Sequence, residues 1–366
     1  MERILNRLRD GQPPFEIDLL HINTDYFLMI KNQLRDQIYS AKATNSLRKI
    51  YLVAPKGFGK SHMIEKIKME FKNNNDYKIL SIKQTDEPIS LIKRLFISYG
   101  LDNFKSDLNS FISQNSITTP VELYHYLKNQ FSDFFNYNIA VSLIIDQSLS
   151  DLAWKWLTNR TGPGESYSLK FGKNKITKNL SNTDSLEFLD YIIRFFNANF
   201  NKTPIFLIDE FLRKNTISKT KTKQLKGFLV DIVNKNWEFG SFFCFACSDI
   251  AWREIEKDDY SISIGLTRRA TKIELIGVNS TENLNELKDK ILQFYPEQMR
   301  EYIDEMIEEN EILERINEEY RNNIGEIIKS LIRKIDNFCL DSNIAEIDNS
   351  PDNLVDLLRR GRQFER

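Results

Sequence analysis

One stretch constrains this chain more than any other: a strand-like run that passes through a glycine loop straight into a helix. Lys49 to Ala54 reads KIYLVA, a short β-prone run; Pro55-Lys56-Gly57-Phe58-Gly59-Lys60-Ser61-His62 follows, and MIEKIKMEF from Met63 has helical spacing. Ala54 to Ser61 fits the phosphate-loop pattern G-x-x-x-x-G-K-[ST], with Ala54 where the pattern has its first glycine. The chemistry asks for these residue types. Gly57 and Gly59 let the backbone curl so that successive N–H groups turn inward onto phosphate oxygens, and a helix starting near Lys60 adds its positive end. Lys60 is placed to reach the β- and γ-phosphates, and the Ser61 hydroxyl to ligate Mg2+, a hard ion that keeps several waters. Pro55, Lys56, Phe58 and His62 complete the expected binding segment. The plain alternative is an ordinary strand-to-helix turn that happens to contain GKS, and the strand, loop, helix order weighs against it.

Further short apolar runs read as strands: KILSI from Lys78, PIFLI from Pro204, SFFCFAC from Ser241 and KIELIGV from Lys272. Segments of helical period such as SLIKRLFISYG and SLEFLDYIIRFFNANF lie between them. Strands alternating with helices predict an α/β fold, an αβα sandwich around a parallel sheet. The run Ile205 to Ile208 closes on Asp209-Glu210, a pair of acids expected at the tip of a strand neighbouring the loop strand. Asp209 is the candidate to hold the metal through its water shell, and Glu210 the general base that polarises water for in-line attack on a γ-phosphate. Ser248, at the end of the SFFCFAC run, is the candidate to orient that water. Leu266-Thr267-Arg268-Arg269 offers an arginine finger for a neighbouring subunit's site, a device worth ~10³ to 10⁵ in rate; Arg268 is the choice, against a solvated basic turn.

From about Ser280 no strand signal remains, and consecutive amphipathic helices run to about Asp341. The expected organisation is a helical lead-in over 1–45, a phosphate-loop core over 46–278 with a long helical insert at about 86–200, and a helical lid over 279–366. The 51 Lys plus Arg nearly balance the 52 Asp plus Glu, so no global field points to nucleic acid or an anionic membrane. The three cysteines are too few for a disulfide framework, and no apolar run approaches the ~20 residues of a membrane span. A cytoplasmic protein without membrane association is expected. Cys244 and Cys247 sit three apart in an apolar strand and read as buried packing, as do Trp154 and Trp156, against a partner-facing aromatic pair. His21, His62 and His125 form no ligand pattern, so no zinc site is assigned.

Phosphate loop, acid-capped strand, polar strand tip, arginine and helical C-terminal module come in an order that resembles the AAA+ ATPases, in particular the branch of origin-recognition and STAND-type proteins. More narrowly, the opening ILNRLRDGQPP, the loop running into Gly59-Lys60-Ser61-His62, the insert with Trp154-Lys155-Trp156-Leu157 and the acid-capped strand are similar to the ATP-binding proteins of bacterial BREX phage-exclusion loci. The resemblance implies ATP with Mg2+ held between core and lid, assembly into homo-oligomers, and work on DNA or protein–DNA complexes with a protein partner from the same defence or mobile-element system. Ala54, the 149 residues between Lys60 and Asp209, and Asp352 at a lid position where relatives tend to carry an arginine depart from that pattern. DNA contact is expected through the lysine-rich stretches 170–178 and 213–226, against a reading as solvated surface. The alternative function is a nucleotide-gated switch, holding ATP or ADP with little hydrolysis, that recruits a protein partner.

Overall fold

Each of the five apolar runs becomes a strand of one sheet: β1 (Leu47–Val53), β2 (Tyr77–Lys83), β5 (Thr203–Phe211), β6 (Ser241–Cys247) and β7 (Thr271–Glu274), in the order β2-β5-β6-β1-β7. The ladders of β2 with β5, β5 with β6 and β6 with β1 are all parallel. Every residue of β6 is buried, as are the last five of β1 and all of β5 except Glu210. That burial is why these strands read as continuous apolar runs and not as alternating ones. The structure is a computed structural model that describes residues 2–9, 25–83, 87–162, 164–212, 218–257, 263, 266–267, 271–277, 280–321 and 323–341. The chain forms two compact units, one of Met1–Asn32, Ala54–Lys66 and Glu274–Arg366, the other of Gln33–Val53 and Ile67–Ile273.

The first helices are α1 (Glu2–Arg9), α2 (Asp25–Ala43) and α3 (Lys60–Phe71), the last following β1 through the loop. Between β2 and β5 lie α4 (Pro88–Tyr99), α5 (Leu101–Gln114), α6 (Pro120–Gln130), α7 (Phe135–Leu143), α8 (Ser150–Leu157) and α9 (Ser185–Phe200). This insert is not an appendage. Its Phe96, Phe104, Tyr137 and Phe188 belong to the same apolar core as Tyr51, Leu80, Phe206 and Phe243 of the sheet. Trp156 is buried and donates its indole N–H to the Lys178 carbonyl at 3.0 Å, while Trp154 packs with its ring 4.9 Å from Phe96, so both serve the core. A polar knot adds to it. Asp107 of α5 accepts from Lys202 at 2.8 Å, from Lys78 of β2 at 3.3 Å and from the Tyr99 hydroxyl. Burial pushes its carboxyl up, but the Lys202 and Tyr99 hydrogen bonds and the two lysine charges outweigh that and hold it below the ordinary carboxylate range.

Within the insert the lysine-rich stretch folds as a hairpin, β3 (Lys170–Phe171) against β4 (Asn174–Lys175), which its short strands did not announce. After β5 come α10 (Lys219–Asn234) and, past β6, α11 (Asp249–Glu256). Cys244 and Cys247 are buried free thiols, and burial raises the Cys244 thiol well above its ordinary value.

The other unit holds the expected consecutive helices, α12 (Thr281–Leu292), α13 (Glu297–Glu309), α14 (Ile312–Tyr320) and α15 (Ile324–Asp341). Leu5 and Leu8 of α1 join their core beside Leu287, Ile303, Ile316 and Ile335. Arg9 clasps Asp336 at 2.7 and 3.1 Å, and the Tyr295 hydroxyl donates to the same carboxylate at 2.9 Å. The segment with Asp352, Arg359, Arg360 and Arg362 lies outside the described residues.

Candidate functional site

β1 ends at Val53 and α3 begins at Lys60, so Ala54 to Gly59 form the loop. Gly57 sits at φ +89° and Gly59 at +83°, backbone that only glycine takes without cost. A Cβ on Gly59 would meet nothing within 4 Å, so its glycine answers to the backbone alone. Ala54 is buried and is not among the positive-φ residues, so this position makes no use of the freedom the consensus glycine would give. The Lys60 ammonium donates to the carbonyls of Ala54 and Pro55, both at 2.6 Å, closing the arch from its helical end back to its strand end. Met63 N–H to Gly59 C=O, at 2.9 Å, is the bond with which α3 takes up its helical ladder. The turn before such a bond is where a helix presents its amides to outside acceptors. Downstream, the His62 ring lies 5.6 Å from Phe27 of α2.

At the tip of β5 the chain bulges. Ile208 pairs with Phe245 and Phe211 with Cys247, so two residues, Asp209 and Glu210, stand against one of β6. Glu210 takes φ +51°, a left-handed conformation that costs a side-chain-bearing residue ~1–2 kcal/mol. The kink separates two acids adjacent in sequence: Asp209 is 5% exposed, whereas Glu210 is the one exposed residue of its strand. Glu210 N–H then donates to Asp209 Oδ1 at 2.8 Å, fixing that carboxylate.

The acid strand is not the neighbour of the loop strand, as the sequence led one to expect. β6 lies between them. At ~4.8 Å per strand, β1 and β5 therefore run ~10 Å apart. In the ladders Val53, Cys247 and Phe211 form one row, which brings the ends of β1, β6 and β5 to the same edge of the sheet. Ser248 leaves β6 at that edge and is the N-cap of α11, its Oγ accepting from Ala251 N–H at 3.1 Å. A hydroxyl that accepts keeps its own proton to donate. Arg268 lies outside the described residues.

Two residues near the loop escaped sequence reasoning. Asn323 Nδ2 donates to the Lys56 carbonyl at 3.0 Å, and Gly325 N–H to the Gly57 carbonyl at 3.0 Å. Asn-Ile-Gly at the start of a helix reads as a cap and no more, and the contact spans more than 260 positions.

In the two lysine-rich stretches some of the described lysines are paired or buried and others are exposed. In 213–226, Lys221 pairs with Glu87 at 2.7 Å and Lys226 is buried on the face of α10 that carries Leu225, Phe228 and Leu229; Arg213 and Lys214 lie outside the described residues. In 170–178, Lys178 pairs with Asp184 at 2.6 Å, while Lys170, Lys173 and Lys175 are exposed on the hairpin. Among the described residues no group of three or more His, Cys, Asp or Glu could hold a metal, and no helix is long and apolar enough to cross a membrane.

No protein family and no curated protein matches this chain in sequence. Among solved structures it is similar to the ORC2 protein of Aeropyrum pernix, seen in ADPNP–ADP complexes, at 11% identity and a TM-score of 0.42, over 97% of this chain and 70% of that one. The fold is the expected parallel α/β sheet with a helical C-terminal part.

Proposed function

We propose that the chain binds ATP with Mg2+ on the segment Pro55 to His62 and hydrolyses it as an ATPase of the AAA+ kind. The observation that carries this reading is the loop's backbone, with glycines at φ +89° and +83° between a buried parallel strand and a helix that opens on Lys60-Ser61. Donors of the right chemistry are present: amides and an ammonium for phosphate, and for a hard cation the Ser61 hydroxyl and the Asp209 carboxylate. Bound Mg2+ would neutralise charge on the phosphate oxygens. Glu210, turned outward by the bulge, takes a proton from water; Ser248 donates to that water and orients it; Lys60 holds the phosphates. Arg268 of a neighbouring copy would complete the site in a homo-oligomer.

The finer reading is work on DNA or a protein–DNA complex in phage defence, with Lys170, Lys173 and Lys175 on phosphates and a protein partner from the same system. The test is phosphate release from ATP against chain concentration, with Mg2+ or with EDTA, with and without duplex DNA. Expected are a rate per chain that rises as chains assemble and a complete loss on chelation. A flat, near-zero rate beside tight nucleotide binding would instead establish the nucleotide-gated switch.

A further inference from the structure

Asn323 does two things at once. As the N-cap of α15 its Oδ1 accepts from Glu326 N–H at 3.3 Å and its carbonyl from Ile327 N–H at 2.9 Å, while its Nδ2 reaches the Lys56 carbonyl. Gly325, two residues on, takes the next carbonyl of the loop, that of Gly57. The approach is too close for side chains. A Cβ on Gly57 would fall 1.8 Å from Asn323 Oδ1, and one on Gly325 would fall 3.2 Å from the Gly57 Cα. All of these residues belong to the same compact unit.

The carbonyls of the loop explain why this matters. A loop that turns its N–H groups toward an anion must turn its C=O groups elsewhere, because a carbonyl oxygen facing a triphosphate repels it and leaves a donor site unmade. Here four successive carbonyls each have a donor: Ala54 and Pro55 from the Lys60 ammonium, Lys56 from Asn323 and Gly57 from Gly325. Half of that set comes from the first residue of the helix that follows the loop and half from the start of a helix far along the chain.

We infer that Asn323 and Gly325 are positioning residues for the phosphate loop: they hold its carbonyls turned away, so that affinity for a triphosphate is set in part by the attachment of α15. The inference rests on the nucleotide reading above and deepens it. Linkage makes the effect reciprocal, so nucleotide on the loop strengthens the hold of α15 on it by the same factor.

Asn323→Asp separates the two duties of the side chain. Aspartate caps a helix as well as asparagine does, so α15 keeps its start, but it has no N–H for the Lys56 carbonyl and sets a negative charge beside the loop. In the full chain this variant is expected to melt no more than a few degrees below the parent, to bind a fluorescent ATP analogue ~10-fold more weakly, and to raise KM by that factor with kcat nearly unchanged. Amide exchange over 54–61, measured without nucleotide, is expected to speed up. Gly325→Ala, whose methyl would crowd the Gly57 Cα at 3.2 Å and meet the capping Asn323 Oδ1 only at ordinary contact distance, 3.5 Å, should move both readouts the same way. The two possible failures are distinguishable because the exchange readout needs no nucleotide. A parent chain that binds no ATP sinks the nucleotide reading, whereas loop exchange or ATP affinity unchanged in both variants overturns the positioning role.

Discussion

Glu210→Gln is expected to lower kcat for ATP hydrolysis by ~10³-fold while leaving nucleotide affinity close to that of the parent. The amide has the shape of the carboxylate and keeps the main-chain N–H that holds Asp209 Oδ1, so the bulge at the end of β5 should survive the change. What is lost is the ability to take a proton from water. Because Glu210 is the exposed residue of an otherwise buried strand, its replacement removes nothing from the core. Glu210→Gly sharpens the contrast. Relief of the left-handed strain should make that chain more stable by up to ~1 kcal/mol, yet it too should be inactive. Steady-state phosphate release, a nucleotide-binding titration and a melting curve on the three proteins check this together, and unimpaired hydrolysis in Glu210→Gln would remove the residue from its role.

Gly57→Ala is expected to be nearly as damaging, by a different route. The position sits at φ +89°, and the new methyl would arrive 1.8 Å from Asn323 Oδ1. That oxygen is not free to move aside without loss, since it caps α15, and the same side chain holds the Lys56 carbonyl. Strain of ~1–2 kcal/mol and two disturbed hydrogen bonds of ~1 kcal/mol each predict ATP binding weakened by ~10²- to 10³-fold. Gly59→Ala gives the comparison, because its methyl would meet nothing within 4 Å and only the strain at φ +83° remains. A nucleotide titration should therefore rank parent, Gly59→Ala and Gly57→Ala in order of falling affinity; equal affinity in all three would contradict the loop geometry.

How much of this could be read from the residues varies with the range of the interaction. KIYLVA, PIFLI and SFFCFAC were legible as strands because a strand buried on both faces carries its signal in its own composition. The glycine loop between β1 and α3 was legible because its conformation is set locally, down to the two glycines that take positive φ. The insertion of β6 between the acid strand and the loop strand was not, since strand order is a property of pairing between distant segments. The bulge at Asp209-Glu210 was hidden for another reason: a left-handed residue usually advertises itself as Gly or Asn, and here it is a glutamate. Lysines 221 and 226 looked like surface charge until their helix turned one toward Glu87 and buried the other. Leu5 and Leu8 gave no hint that their partners lie some 280 to 330 residues on, and Asn323 none that its amide reaches Lys56.

The central claim is that the backbone from Ala54 to Ser61, with the Lys60 ammonium, holds a triphosphate. Calorimetric titration of ATP with Mg2+ into the parent chain and into Lys60→Ala tests it most directly. Lys60 supplies both a charge for the phosphates and the donors that hold the carbonyls of Ala54 and Pro55, so its loss should weaken binding by ~10²-fold or more. The account predicts saturable binding of one ATP per parent chain that all but disappears in the variant; equal binding by the two chains, or none by the parent, would contradict it.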